Sequence, residues 1–158
     1  MATAQSNGLH NGLSVLAFDG VQLAFALSEV LGIQRTYLLD YDDKTLPFAL
    51  CSIVHAGRRW PVFGLGPDYE LLVELPAKRN YCVCLSADDG ETGLALACET
   101  VNAVPLEPSF NPAPVPVCAQ RADSPLQAWH IHRERMLPIS STPALARYIS
   151  GLMEEYND

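Results

Sequence analysis

Apolar residues in this chain recur mainly at every second position or in short runs closed by turn residues. Val21, Leu23, Phe25 and Leu27 fall on one side of an extended segment, the period expected of a half-buried strand. Leu13–Phe18 reads as a strand before it, and Asp19-Gly20 between the two is one of the stronger short hairpin signals. Ser28 to Arg35 admits either one helical turn or an extended continuation. The next pair of segments is the centre of the pattern. Phe48–Val54 is an apolar run, His55-Ala56-Gly57 makes a turn, and Arg58-Arg59-Trp60-Pro61-Val62-Phe63-Gly64-Leu65 returns. Pro61 lacks an N–H, so this hairpin belongs at an edge or a bulge. Gly57 suits a turn position with positive φ. Trp60 reads as core if buried and as an interface anchor if exposed.

Gly66-Pro67-Asp68 ends that hairpin. Tyr69 to Leu75 fits a short helix through Leu71, Leu72 and Leu75, or a strand through Leu72-Val73-Glu74-Leu75. Pro76-Ala77-Lys78-Arg79-Asn80 breaks the chain. Tyr81–Leu85 is a continuous apolar strand of the kind buried on both faces, and Gly93–Val104 predicts a long strand with a bend. Five prolines between Pro105 and Pro116 make a stiff extended connector. Leu126–His132 and Arg135–Ile139 predict a last hairpin around Arg133-Glu134. A helix follows. Thr142 is the expected cap, Pro143 the first helical residue, and Leu145, Tyr148, Ile149, Leu152 and Tyr156 the apolar stripe. The rhythm is that of an all-β barrel or sandwich closed by one C-terminal helix.

A chain of 158 residues with 49% hydrophobic content fits one globular domain, read here as residues 13–158 behind a fraying polar tail, residues 1–12. That tail lacks the basic start and apolar stretch of a signal peptide, which gives a cytoplasmic reading without membrane insertion. A net charge of −8 argues against nucleic acid as a partner. The cysteines, Cys51, Cys82, Cys84, Cys98 and Cys118, are odd in number and sit in apolar surroundings, as reduced core residues do.

Candidate chemistry is thin. His130 and His132 share a strand face and could hold a metal if a third ligand arrived. Cys82 and Cys84 share a face but have no basic neighbour. Asp40-Tyr41-Asp42-Asp43-Lys44 lacks the glycine and distal glutamate of a calcium loop, and Gly64-Leu65-Gly66 is an incomplete nucleotide-loop pattern. These residues describe a binding or interaction protein rather than an enzyme, one that needs neither a metal nor a disulfide to fold. A generic SH3-like or OB-like module for a small molecule or peptide is the alternative class, and a small cysteine or metal hydrolase using Cys82, Cys84, His130 or His132 a more remote one.

Ile53 to Leu65, with Gly57, Pro61, Val62 and Leu65 in place, resembles the middle motif of the CheW family of chemotaxis coupling proteins. Leu94–Val101, with Glu99 at an acidic position, is similar to a second motif. The strand-turn pattern of Phe18 to Leu27 and the ending through Leu137-Pro138-Ile139 into a helix keep the family's order. The family's arginine falls at Ala56, its asparagine at Val54, and its aspartate after Pro-Val at Gly64. The resemblance implies two small five-stranded SH3-like barrels around a shared core. It also implies a non-catalytic adaptor of a diverged chemosensory or pilus-motility pathway, whose partners are a chemotaxis-type histidine kinase and a chemoreceptor cytoplasmic domain. Its expected contact residues are Ala56, Gly57, Arg58, Arg59, Trp60 and Glu99, with Arg58 or Arg59 supplying the charge that Ala56 lacks.

Overall fold

The computed structural model describes residues 12–43, 46, 48–105, 112–114 and 124–157. The expected tail up to residue 11, most of the proline connector, and Cys118 lie outside them. Strands β1 (Leu13–Phe18) and β2 (Val21–Ala26) form the first hairpin, turned by Asp19 and Gly20, both at positive φ. Ser28 to Arg35 contains both alternatives: a 3₁₀ turn, Leu27–Glu29, and then β3 (Val30–Arg35). A second 3₁₀ turn spans Thr36–Leu38. The central hairpin is β4 (Cys51–His55) and β5 (Arg58–Phe63). Its turn places Ala56 at φ 51° and Gly57 at φ 74°, so the glycine occupies the conformation expected of it. β6 (Tyr81–Ser86) and β7 (Gly93–Cys98) follow.

The bend expected between Gly93 and Val104 is a change of sheet. β7 ends at Cys98, and β8 (Thr100–Val104) joins a different sheet after the single residue Glu99. Two-residue β9 (Ala113–Pro114), then β10 (Ala128–His132), β11 (Arg135–Ile139) and helix α1 (Thr142–Asn157) complete the fold. One sheet has the order β8-β1-β2-β11-β10-β9 and the other β3-β6-β7-β5-β4. The first therefore carries one strand more than expected. The extra strand is the proline-containing β9, held at the edge beside Trp129 and Ala128, where a proline's missing N–H breaks no ladder.

Both sheets are curled, and their side chains sort into three cores. Leu16, Phe18, Leu23 and Phe25 from the first sheet meet Phe63, Val83, Leu85 and Leu96 from the second, with Leu145, Tyr148 and Ile149 of α1 against them. Alternation sends Cys82 and Cys84 the other way, into the second barrel with Ile53, Trp60 and Val62. β6 is therefore buried on both faces, as its unbroken apolar run requires. A smaller core of Leu13, Val15, Ala24, Leu137 and Ile139 fills part of the first barrel.

Tyr69 to Leu75 is neither helix nor strand. Tyr69 adopts φ 60°, which belongs to neither period. Its ring stands edge-on to Phe18, and its carbonyl accepts a hydrogen bond from the Tyr148 hydroxyl. The cap of α1 also differs from expectation. Ser141 Oγ, not Thr142, accepts the Ala144 N–H at 3.2 Å, and Pro143 is the second helical residue. The Thr142 N–H is taken by the Glu29 carboxylate at 2.6 Å, an anion at the positive end of the helix.

The second barrel closes through a histidine. β3 and β4 are the two ends of its sheet, yet the His55 ring lies between Gln34 Nε2 at 2.8 Å and the Leu31 carbonyl at 3.1 Å. A Cβ on Gly32 would stand 2.4 Å from that ring. The Gly32→Ala substitution is expected to expel the imidazole from this seam and cost about 1–3 kcal/mol, the range for overpacking. Urea unfolding of Gly32→Ala alone and together with His55→Ala measures this. The double variant should recover part of the loss, and an unchanged midpoint for the single variant would contradict it.

Candidate functional site

The residues expected to meet a partner occupy different places. Trp60 is 1% exposed and belongs to the second barrel's core. Its indole N–H donates to the His55 carbonyl at 3.2 Å. It is a core residue, not a surface anchor. The Arg58 guanidinium stacks 4.4 Å above the Trp60 ring and donates to the carbonyls of Gly90 and Glu91. It covers the barrel end and ties the central hairpin to the loop between β6 and β7. Arg59 points to the other face. It pairs with Asp40 at 3.1 Å and Asp43 at 3.2 Å and donates to Ser52 Oγ. The Asp40 carboxyl is held below its ordinary value, first by the Asp42 N–H and also by Arg59. Ala56 and Gly57 are exposed at the hairpin tip.

Glu99 lies far from that tip, where the chain passes between sheets. Its carboxylate accepts the Asp19 N–H at 2.6 Å and sits 3.6 Å from Lys78 Nζ and 4.0 Å from Arg79 Nε. Arg79 is the centre of this group, although the local sequence around it reads only as a chain break. It is 1% exposed. It donates to the Asp19 carboxylate and the Leu65 carbonyl, each at 2.7 Å, and to the Ala97 carbonyl at 3.2 Å. Its guanidinium lies 5.0 Å from the Phe18 ring centre. Asp19 and Phe18 belong to the first sheet's hairpin, and Ala97 to the second sheet, so one side chain rivets the two together. The Asp19 carboxyl is held below its ordinary value, first by its hydrogen bond to Lys78 and also by Arg79.

A surface that the sequence did not announce runs along the β3–β4 seam. Leu31 and Ile33 of β3, Tyr37, Leu38 and Tyr41 of the connection, and Val54 of β4 are exposed. Asp40 pairs with Ser52 across a β-bridge, which holds the connection beside β4. Val54 stands opposite Arg59 in the hairpin register, so the apolar seam has the Arg59–Asp40–Asp43 ion pairs at its margin. Clusters of exposed apolar side chains of this kind mark interaction surfaces.

The residues considered for catalysis are kept apart. Cys82 and Cys84 lie in the second barrel and His130 and His132 in the first sheet. Burial raises the thiol pKa of Cys82, pushes that of Cys84 up to about 11 and that of Cys98 up to about 12. These thiols stay protonated near neutrality, unlike nucleophilic cysteines. Among the described residues, no group of three or more His, Cys, Asp or Glu is placed to hold a metal ion, and no helix is long and apolar enough to cross a membrane.

No protein-family model matches the chain, and no curated protein matches it in sequence. Its fold is similar to the crystal structure of the scaffolding protein TtCheW from Thermoanaerobacter tengcongensis, with 15% sequence identity and a TM-score of 0.62. The match covers 84% of this chain and 90% of that one. The pair of curled sheets with one C-terminal helix is thus a CheW-like fold.

Proposed function

We propose that this chain is a non-catalytic adaptor of a bacterial chemosensory or pilus-motility pathway, working in the cytoplasm. It couples a chemotaxis-type histidine kinase to chemoreceptor cytoplasmic domains through protein–protein contacts. The observation that carries this reading is the likeness of the double-barrel fold to a CheW scaffolding protein over nearly its whole length. The exposed apolar seam supports it, since an adaptor has to present surface that its own fold leaves uncovered.

The contact surface in this proposal is the seam together with the tip of the central hairpin, Ala56 to Arg59. Arg59 and Val54 are its testable members, because Arg58 and Trp60 are also engaged in holding the barrel. Arg59 is 37% exposed at its side chain, and exposed ion pairs contribute about 0–1 kcal/mol to stability. Val54→Glu and Arg59→Ala are therefore expected to weaken binding to a kinase regulatory fragment or a receptor cytoplasmic fragment by about tenfold or more, the loss of about 1.4 kcal/mol or more. Their melting temperatures should stay near that of the wild type. Calorimetric titration of each variant against both fragments, with parallel thermal melts, measures this. Wild-type binding by both variants would move the contact surface elsewhere, and failure of the wild type to bind either fragment would overturn the adaptor reading.

A further inference from the structure

The inner face of the first sheet is only partly filled by its own side chains. Leu13, Val15, Ala24, Leu137 and Ile139 form its core, with Ala128 and Val104 packed against it. Strand alternation carries the same face onward to Gln22, Asn102, His132 and Arg135. There a cleft of about 320 Å³ opens, with Val15, Val104 and Leu137 as its apolar floor. Gln22, Asn102 and His132 stand around it, and Arg133 and Arg135 complete its lining. β8 and β10 lie at distant places in the sheet order, so the cleft is the mouth left where the curled sheet brings them together. Its size and its mix of an apolar base with a few polar groups are those of a small-molecule site.

Charge narrows the ligand. The chain carries a net charge of −8, and its other cations near carboxylates are used internally: Arg59 by Asp40 and Asp43, Lys78 and Arg79 by Asp19 and Glu99. Among the described residues, Arg133 and Arg135 make no ion pair, and no carboxylate lines the cleft. Glu134, between them in the turn, is not part of the lining. The turn itself holds Arg133 at φ 49° and Glu134 at φ 64°. Asn-Gly is the usual occupant of such a two-residue hairpin, so a long cationic side chain is kept at the mouth despite an unfavourable backbone.

We propose that this mouth binds a small organic carboxylate bearing a short aliphatic or aromatic group. The apolar group rests on Val15, Val104 and Leu137. The carboxylate meets Arg133 and Arg135, whose guanidinium forks suit a two-oxygen anion. The Gln22 and Asn102 amides and the His132 ring supply the remaining hydrogen-bonding capacity. The cleft lies on the first barrel and the proposed partner surface on the second, so the two ideas fail separately.

The test is an NMR titration of the isotopically labelled full chain with benzoate and hexanoate. Benzamide, inorganic phosphate and an acidic, leucine-containing peptide serve as comparison probes. The expected result is a saturable shift of the Val15, Asn102, Val104 and Leu137 backbone amides with either carboxylate. The double variant Arg133→Gln/Arg135→Gln should bind about tenfold or more weakly with an unchanged melt. Gln22→Phe, which fills the mouth from an exposed position, should abolish the shifts. The proposal is overturned by no saturable shift with either carboxylate, by equal binding of benzamide or phosphate, or by full retention in the double arginine variant. Shifts with the acidic peptide but neither small carboxylate would also overturn it, in favour of a macromolecular contact.

Discussion

Replacing Arg79 with alanine is expected to lower the unfolding free energy by about 3–5 kcal/mol, the cost of removing one partner from a buried, hydrogen-bonded charge cluster. The guanidinium is enclosed and satisfies the Leu65 and Ala97 carbonyls as well as the Asp19 carboxylate. Its removal leaves the buried Leu65 and Ala97 carbonyls without their donor, and this part of the penalty persists, whereas Asp19 is partly exposed and keeps Lys78 at 2.8 Å. Arg79→Lys should recover only part, because a single ammonium cannot reach three divergent acceptors as a planar fork does. Equilibrium urea unfolding of the three proteins measures the effect. A loss below about 0.5 kcal/mol, the range of ordinary surface substitutions, would show that the first hairpin and the second sheet do not depend on this rivet.

The second large effect concerns Trp60. Trp60→Ala is expected to cost about 3–5 kcal/mol, as for other large aromatic side chains deleted from a packed interior. The indole is enclosed by the second barrel, its N–H is bonded to the His55 carbonyl, and Arg58 covers its face. A Cβ at Gly93 would stand 2.5 Å from the ring, so the neighbouring strand is already fitted to its shape. Trp60→Phe should cost less, since it keeps an aromatic filling and gives up the N–H bond. Chemical denaturation with circular dichroism as the probe separates the alternatives. A core residue shifts the midpoint strongly, whereas a surface anchor would alter partner binding and leave the midpoint in place.

Much of this architecture is legible in local pattern. Alternation along Val21 to Leu27 predicts β2, the uninterrupted run Tyr81–Leu85 predicts a strand covered on both faces, and the Leu145–Ile149 stripe predicts a docked helix. Each depends on neighbours in sequence, where periodicity carries the information. What stayed hidden depends on residues far apart. Ser141 and Thr142 are both competent caps, and the choice falls to Glu29, which takes the Thr142 N–H from across the structure. Lys78-Arg79 reads as a chain break because nothing nearby predicts Asp19, Leu65 and Ala97 as partners. The same holds for the expected contact residues: Arg58 and Glu99 have internal partners that no neighbour in sequence predicts, and Trp60 takes the core alternative. Periodicity leaves Ser28 to Arg35 open, and the facing of β3 is set from afar: Gly32 and Gln34 face the closing His55, and Leu31 and Ile33 are turned outward.

The exchange of sheets at Glu99 orders events during synthesis. All five strands of the second sheet lie between residues 30 and 98, so that barrel has its complete set of pairings once Cys98 has been made. The first hairpin is made earlier but waits longer. β1 needs Val101 and Val104 of β8, and β2 needs Ile139 of β11. The contacts that finish the first sheet thus close loops spanning most of the chain, the kind of pairing that slows folding. Until then Leu16, Phe18, Leu23 and Phe25 have only the second barrel to cover them. A second barrel formed first would offer Phe63, Val83, Leu85 and Leu96 as the surface on which the waiting hairpin docks, and Glu99, joining β7 to β8, is the point where the chain leaves the sheet whose strands are complete for the one whose strands are not.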